Sequence, residues 1–476
     1  MTQAHGSQGT RAAAWRIARR ELLEMRRDGR LWVAGVLMLV LLGTALAVGW
    51  RHQQAFEAER VAAQALDHDD WLRQAPRHPH DAAHQGLHVF KPLPALAIVD
   101  PGITPYTGST LWLQAHRQSE LRFRPAQDAT GLQRFGQLSV AWVLQVLGPL
   151  IVVVLGFGMV ASEREQGTLK QTLSLGVSLR QFVAGKALAL ATATGLLLAP
   201  ALAALVAAVA VSHWPVDDGA RAALLALGYG LYFAVVIVVV LAVSAWATNA
   251  RMAIATLLGL WIVSVTLLPR AASDLARQLH PSPSRASFTK ALDGDLQQAY
   301  EQVWRHEFGT ARRFGPDLPL ARWGQALRVD DHAGYAVMDR HFEALWQSFA
   351  AQQRAQELAG LLAPLLPLRS LSMAVAGTDF AVHRDFSVQA ERHRRLMQDL
   401  ISEDLVHHAD PRGAGHFDYQ ADQRLWAKVP AFQYQAPPVS SAAARGALAL
   451  GVLAFDLAVA LAFLTWAVAR RARNVT

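Results

Sequence analysis

The sequence predicts an all-α integral membrane protein, with six transmembrane helices and a large, mostly helical extracytoplasmic domain. Three observations carry that expectation. Apolar stretches lie at residues 31–50, 138–161, 187–211, 222–247, 253–268 and 446–468. Crossing ~30 Å of hydrocarbon as a helix takes roughly 20 predominantly apolar residues. All but the fifth stretch reach that length, and the fifth extends back through 246–252 with one charge, Arg251. Second, the mean hydropathy of +0.18 averages two populations. The spans are almost free of charge, whereas 51–137 and 269–445 are polar and rich in His, Gln, Arg and Asp. Third, Lys and Arg cluster beside alternate ends of the spans, which is the pattern that sets orientation.

The elements follow in chain order. Segment 1–30 carries Arg11, Arg16, Arg19, Arg20, Arg26, Arg27 and Arg30, with Trp15, Ala18, Leu22 and Met25 at helical spacing on the other face. That pattern predicts a cytoplasmic amphipathic helix lying on the inner leaflet. The first span, 31–50, follows 30 residues and lacks a small-residue cleavage site, so it reads as a retained signal-anchor. Region 51–137 opens helix-like over 53–72. It then turns irregular, with Pro76, Pro79, Pro92, Pro94, Pro101, Gly102, Pro105 and Gly108. Spans two to five occupy 138–268 and enclose a basic loop, 162–186, with Arg164, Lys170, Arg180 and Lys186. The turn at 212–221 has only Arg221, beside Asp217 and Asp218.

Region 269–445 contains long amphipathic, proline-free stretches at 287–308, 335–362 and 386–407. An apolar stretch at 357–368 is short and interrupted by Pro364 and Pro367, which places it in the core of the outer domain. Span six covers 446–468, and the tail 469–476 holds Arg470, Arg471 and Arg473. Both termini are therefore expected in the cytoplasm and the two polar regions outside, in a bacterial inner membrane. The net charge of +8 belongs to loop anchoring rather than to nucleic acid, since no zinc-finger spacing or RNP-type aromatic motif occurs. With no cysteine, disulfides and thiolate catalysis are excluded.

The sharpest motif is the loop after span two. It reads Ser162-Glu163-Arg164-Glu165-Gln166-Gly167-Thr168-Leu169, then Gly176-Val177-Ser178, then Gly185-Lys186. A charged turn leads into a short helix over 169–175, which Thr168 is placed to cap and Gly176 to end. The result is a small rigid knob that a soluble partner can grip. This run, at this spacing, resembles the ABC-2-type transporter permeases. The resemblance implies that the loop is a coupling helix docking on a separate ATPase subunit. It assigns that role to Glu163, Arg164, Glu165, Gly167, Thr168, Leu169, Gly176, Gly185 and Lys186. Segments 98–106 (Ile98-Val99-Asp100-Pro101-Gly102-Ile103-Thr104-Pro105-Tyr106) and 371–379 (Leu371 to Asp379), with Glu120 downstream of His116-Arg117-Gln118, resemble a subgroup with large periplasmic domains. The resemblance further implies an exporter, paired with a second copy or a paralogous permease.

No phosphate-binding loop is present, because eight residues separate Gly176 from Gly185-Lys186 and Ala187 replaces the hydroxyl residue. ATP and Mg²⁺ are accordingly expected on the partner ATPase, and the chain is not expected to be an enzyme or to bind a cofactor itself. Asp456 lies mid-span in the sixth stretch, where an ionisable group marks either a translocation path or a polar tie between helices. His78, His80, His84 and His88 are also notable, because the last three repeat at i, i+4 and would stack on a helix. Pro79 and Gly86 argue against that stack, and no metal ligand is assigned from the sequence. Neither Gly-x-Ser-x-Gly nor His-Glu-x-x-His occurs, and Asp293, Asp295 and Glu301 read as a solvated helix face. Two other readings stay open. One is a mechanotransmitter that drives a periplasmic partner, and the other a membrane-anchored outer enzyme.

Overall fold

The computed structural model describes residues 2–122, 138–210, 215–315, 318, 320–408 and 418–473, and the backbone alone at 2–11, 215, 320 and 471–473. Parts of the expected segments therefore lie outside the described residues: 123–137 and 409–417 of the polar regions, 211–214 of the short turn, and 474–476 of the tail.

The chain is 80% helical. Among the described residues, six helices are long and apolar enough to cross a membrane: Arg30–Arg73, Val140–Glu165, Leu179–Ala210, Val216–Trp246, Ala250–Leu279 and Val439–Arg470. They coincide with the six apolar stretches and overrun them. The first continues as one helix of 44 residues, about 66 Å long at 1.5 Å per residue. Gly29, at φ +84°, breaks it from the preceding helix Thr2–Arg27.

Spans two and five each pass through a π-helical segment just ahead of a proline: Val143–Leu147 before Pro149, and Val263–Leu267 before Pro269. A helical proline cannot donate to the carbonyl four residues back. The wider turn accommodates the ring, and neighbouring helices take up the freed carbonyls. In span two the Tyr232 hydroxyl donates to the Gln145 carbonyl at 3.0 Å, and the Trp261 indole donates to the Val146 carbonyl at 2.9 Å. The proline that would have ended span two thus binds it to spans four and five.

The polar segments before span two and after span five share a core. The antiparallel hairpin of β1 (Leu87–Phe90) and β2 (Thr110–Leu113) packs through Leu87, Val89, Leu111 and Leu113 against Phe386, Ala390 and Met397. Those residues lie on the helix Phe380–His408. Trp71, at the far end of the first long helix, donates to the Trp426 carbonyl at 3.0 Å and meets its ring edge-on. Helices Arg285–Phe308 and Trp323–Leu358 pack through Phe288, Leu292, Val337 and Phe342.

One apolar segment departs from expectation. The interruption falls at 362–364 as expected, but Pro364 and Pro367 then open a new helix, Leu365–Ala376. Its Leu368, Leu371 and Val375 join the core of the spans. Gly228 and Gly446 admit Leu371, since a Cβ at either would lie 2.4 Å from a Leu371 methyl.

Candidate functional site

The three charged residues after span two each bind a different span. Lys186, near the start of span three, is 4% exposed in its side chain and lies 2.8 Å from Glu163 Oε1. It also pairs with Glu21 of the N-terminal helix. Arg164 donates to the carbonyls of Ala247 and, at 2.7 Å, Ala245, closing the end of span four. A guanidinium there satisfies carbonyls that have no intrahelical donor. The Glu165 carboxylate accepts the Ala250 amide at 3.2 Å at the start of span five, where Asn249 accepts the Met252 amide at 2.8 Å. Ser244 of span four completes the node by accepting the amides of Val160 and Ala161 at 3.0 and 3.2 Å.

Past this node the backbone turns sharply at Gly167, at φ +78°. The short helix Thr168–Ser174 follows, and Gly176 ends it at φ +85°. Thr168 does not cap this helix. Gly167 holds the cap position, and the Thr168 hydroxyl donates back to the Glu163 carboxylate and carbonyl. As the first helical residue, Thr168 lies one position past the cap, and its hydroxyl becomes a charge-assisted link to the Glu163–Lys186 pair. Leu169 is buried with Val160, Phe182, Ala245 and Val468, which seats the short helix on the span ends. Span three begins with a reciprocal cap: the Ser178 hydroxyl accepts from the Gln181 amide at 3.2 Å, and the Gln181 side chain accepts from the Ser178 amide at 2.8 Å. Between these anchors Leu175 projects at the tip, 83% exposed.

Gly185 allows a close crossing. A Cβ there would lie 2.7 Å from Ile17 Cβ and 2.8 Å from the Ala14 carbonyl. The N-terminal helix therefore buries Ala18, Glu21 and Met25, while Trp15 is 59% exposed. Trp15 thus lies off the buried stripe, which runs through Ala18 and Met25 and includes an acid.

The two other quoted segments, 98–106 and 371–379, pack on each other. Gly102, at φ +52°, leaves no room for a Cβ, which would lie 2.6 Å from the Thr378 carbonyl. The Thr378 hydroxyl donates to the Asp100 carbonyl at 3.0 Å, and the Ile103 amide to the Thr378 carbonyl at 3.1 Å. Asp100 is buried, which raises its pKa, and it accepts from Ser372 and from the Gly102 amide at 3.0 Å. The chain of polar groups continues into the spans. Ser372 meets the Tyr229 hydroxyl at 3.3 Å, which accepts from Gln145 at 2.9 Å. Close by, Arg221 pairs with Asp217 at 2.7 Å and Arg445 with Asp379 at 3.0 Å. Glu120 lies 3.9 Å from Arg285.

Asp456 is buried on span six, and its Oδ2 has no hydrogen-bond partner among the described residues. His80, His84 and His88 do not form one stack, in line with the interruption at Gly86. His80 and His84 share the helix Pro79–Gln85, which Gly86 ends at φ +60°. His88 lies instead on β1, where Asp67 accepts its amide at 2.6 Å and meets its Nδ1 at 2.7 Å.

Sequence reasoning missed Glu21, Ser244 and Asn249 as members of the loop node. Only Glu21 carried a signal, as an acid on the same face as Ala18 and Met25 in a mostly basic helix. Comparison with curated proteins returned no match. A family model described as ABC-2 family transporter protein matches residues 15–380, more than three quarters of the chain, and ends before span six. The chain belongs to the ABC-2 transporter family, as the multi-pass membrane permease component of an ABC transporter that works with an ABC ATPase.

Proposed function

We propose that this permease is half of the membrane pathway of an exporter and receives ATP-driven motion through loop 162–186. ATP and Mg²⁺ would bind the ATPase subunit, and a second copy or a paralogous permease would complete the pathway. The loop and both termini would face the cytoplasm of a bacterial inner membrane.

One observation carries this reading. Glu163, Arg164 and Glu165 hold spans three, four and five, while the tip bearing Leu175 is left bare. A force applied at the tip meets no slack before it reaches the spans. The residues that touch the ATPase would then be Leu175 and the exposed Lys170 and Gln171, whereas Glu163 and Glu165 shape the element behind them. Replacing Leu175→Asp and Lys170→Glu should abolish co-purification with the ATPase and leave the permease's thermal stability unchanged. Undiminished binding and full stimulated ATPase activity would refute the assignment.

A second reading, mechanotransmission, is favoured by the helix Arg30–Arg73. About 30 Å of its roughly 66 Å spans hydrocarbon, and the remainder reaches Trp426 without a break. Movement of the spans would be levered directly into that domain. ATP-dependent displacement of 51–73 together with the first span, in proteoliposomes that move no solute, would decide for this reading over export.

A further inference from the structure

His80, His84 and His116 converge, with one ring nitrogen from each lying within 4.8 Å of the other two. The first two are one helical turn apart on Pro79–Gln85, and their Nε2 atoms are 3.1 Å apart. The third arrives from the loop after β2. The Ala115 amide donates to the Ala83 carbonyl at 2.9 Å, tying that loop to the helix between the two histidines. His116 itself adopts φ +65°, a conformation that residues with a side chain rarely take. Its Nδ1 lies 3.4 Å from the buried carboxylate of Asp331, which belongs to the helix Trp323–Leu358.

We propose that His80, His84 and His116 bind one divalent transition-metal ion, with Asp331 orienting the His116 ring. Nitrogen ligands about 2.0–2.1 Å from zinc are about 3.4 Å apart in a tetrahedron and about 2.9 Å apart at adjacent corners of an octahedron. The 3.1 Å between His80 and His84 falls between these values. A carboxylate at the far nitrogen of a ligating imidazole fixes its tautomer and turns the other nitrogen to the ion. The neutral ring is the ligating form of histidine. Imidazole selects zinc, nickel, copper or cobalt over calcium and magnesium, which take oxygen ligands. His84 is exposed, so the site opens to solvent and leaves a coordination position for water or an exogenous ligand. The ion would join the helix Pro79–Gln85 to the loop after β2, and Asp331 would extend that link to a helix after span five.

The test uses the full-length permease in detergent micelles, stripped with a chelator and with any affinity tag removed. Titration with Co²⁺ alone, followed by its visible absorption, should give one nitrogen-coordinated ion per chain, displaced by Zn²⁺ and not by Mg²⁺. Asp331→Asn should weaken binding ~10–100-fold, and His84→Ala should weaken it further. Because His84 is exposed, its variant should keep the native elution profile and circular dichroism. Zn²⁺ should raise the melting temperature of the native protein and leave that of His84→Ala unmoved. Binding as tight in His84→Ala and His80→Gln as in the native chain, or no stoichiometric binding by the native chain, would overturn the proposal.

Discussion

Replacing Lys186 with methionine tests what holds the loop to the spans. The ammonium lies 2.8 Å from Glu163 and also pairs with Glu21, and all three side chains are at least four-fifths buried. At an effective dielectric near 20, one such contact is worth about 6 kcal/mol before the ions' lost hydration is counted. Desolvation of the ions offsets most of that gain, so the intact triad adds little net stability. Removing only the cation is a different matter, because two carboxylates then remain buried without a counter-charge. The expected loss is about 3–5 kcal/mol. Lys186→Met should therefore lower the midpoint of thermal denaturation in detergent sharply. The triple variant Lys186→Met, Glu21→Gln, Glu163→Gln removes the unpaired charges and should recover most of the loss. It also separates two roles: if the triad only shapes the knob, the triple variant restores stimulated ATPase activity, and if the ATPase contacts these charges, stability returns without coupling. A single variant as stable as the native chain, or a triple variant no better than the single, would refute the reasoning.

Three further outcomes are expected. Gly185→Ala should cost about 1–3 kcal/mol by pressing on Ile17 and Ala14; Gly195→Ala on the same helix, with nothing within 4 Å, should be neutral or slightly stabilising, and melting curves of the pair check this. A cysteine at Gln347 should react with a membrane-impermeant maleimide in intact cells and one at Ser174 should not. Both positions are exposed and the native chain has no cysteine, so reversed labelling would overturn the proposed orientation. Asp456→Asn should impair transport and leave dimer yield intact, whereas Asp456→Leu should lower dimer yield if a partner chain supplies the donor that Oδ2 lacks; native behaviour of both variants in both assays would place Asp456 outside path and interface.

The spans were legible because insertion into hydrocarbon is decided over some 20 consecutive residues, a local property. The position of the loop and the breaks at Gly167 and Gly176 were legible for the same reason. What the loop charges do was not. Arg164 and Glu165 find their partners at Ala245 and Ala250, far along the chain, and nothing in the run itself points there. Thr168 is not the cap because the helix begins one residue earlier than expected, with Gly167 at the cap position. The histidines show both sides of this. The i, i+4 spacing correctly placed His80 and His84 on one face, but the helix ended at Gly86. The third member, His116, came from a loop that the pattern of the helix could not reveal. The π-helical segments ahead of Pro149 and Pro269 were not read from the sequence, because the widened turn depends on which neighbouring groups receive the freed carbonyls.

These bonds also say which spans are tied together. Gln145 pairs with Tyr229, and Val160 with Ser244, at the same offset of 84 residues. A constant offset means two parallel helices in register, as spans two and four must be if every stretch crosses once. They are joined at both positions by buried hydrogen bonds, and span five is joined to span two through Trp261 and Glu165. Spans two, four and five are thus tied to one another by hydrogen bonds at two levels. Span three meets the node through Lys186 and through Phe182 and Val183, which are buried with Val160 and Ala245, and the N-terminal helix crosses it closely at Gly185. In the coupling reading, a push on the bare tip at Leu175 falls between spans two and three, with Gly167 on one side and Gly176 on the other. The Lys186 triad is then a point at which those two spans part or hold.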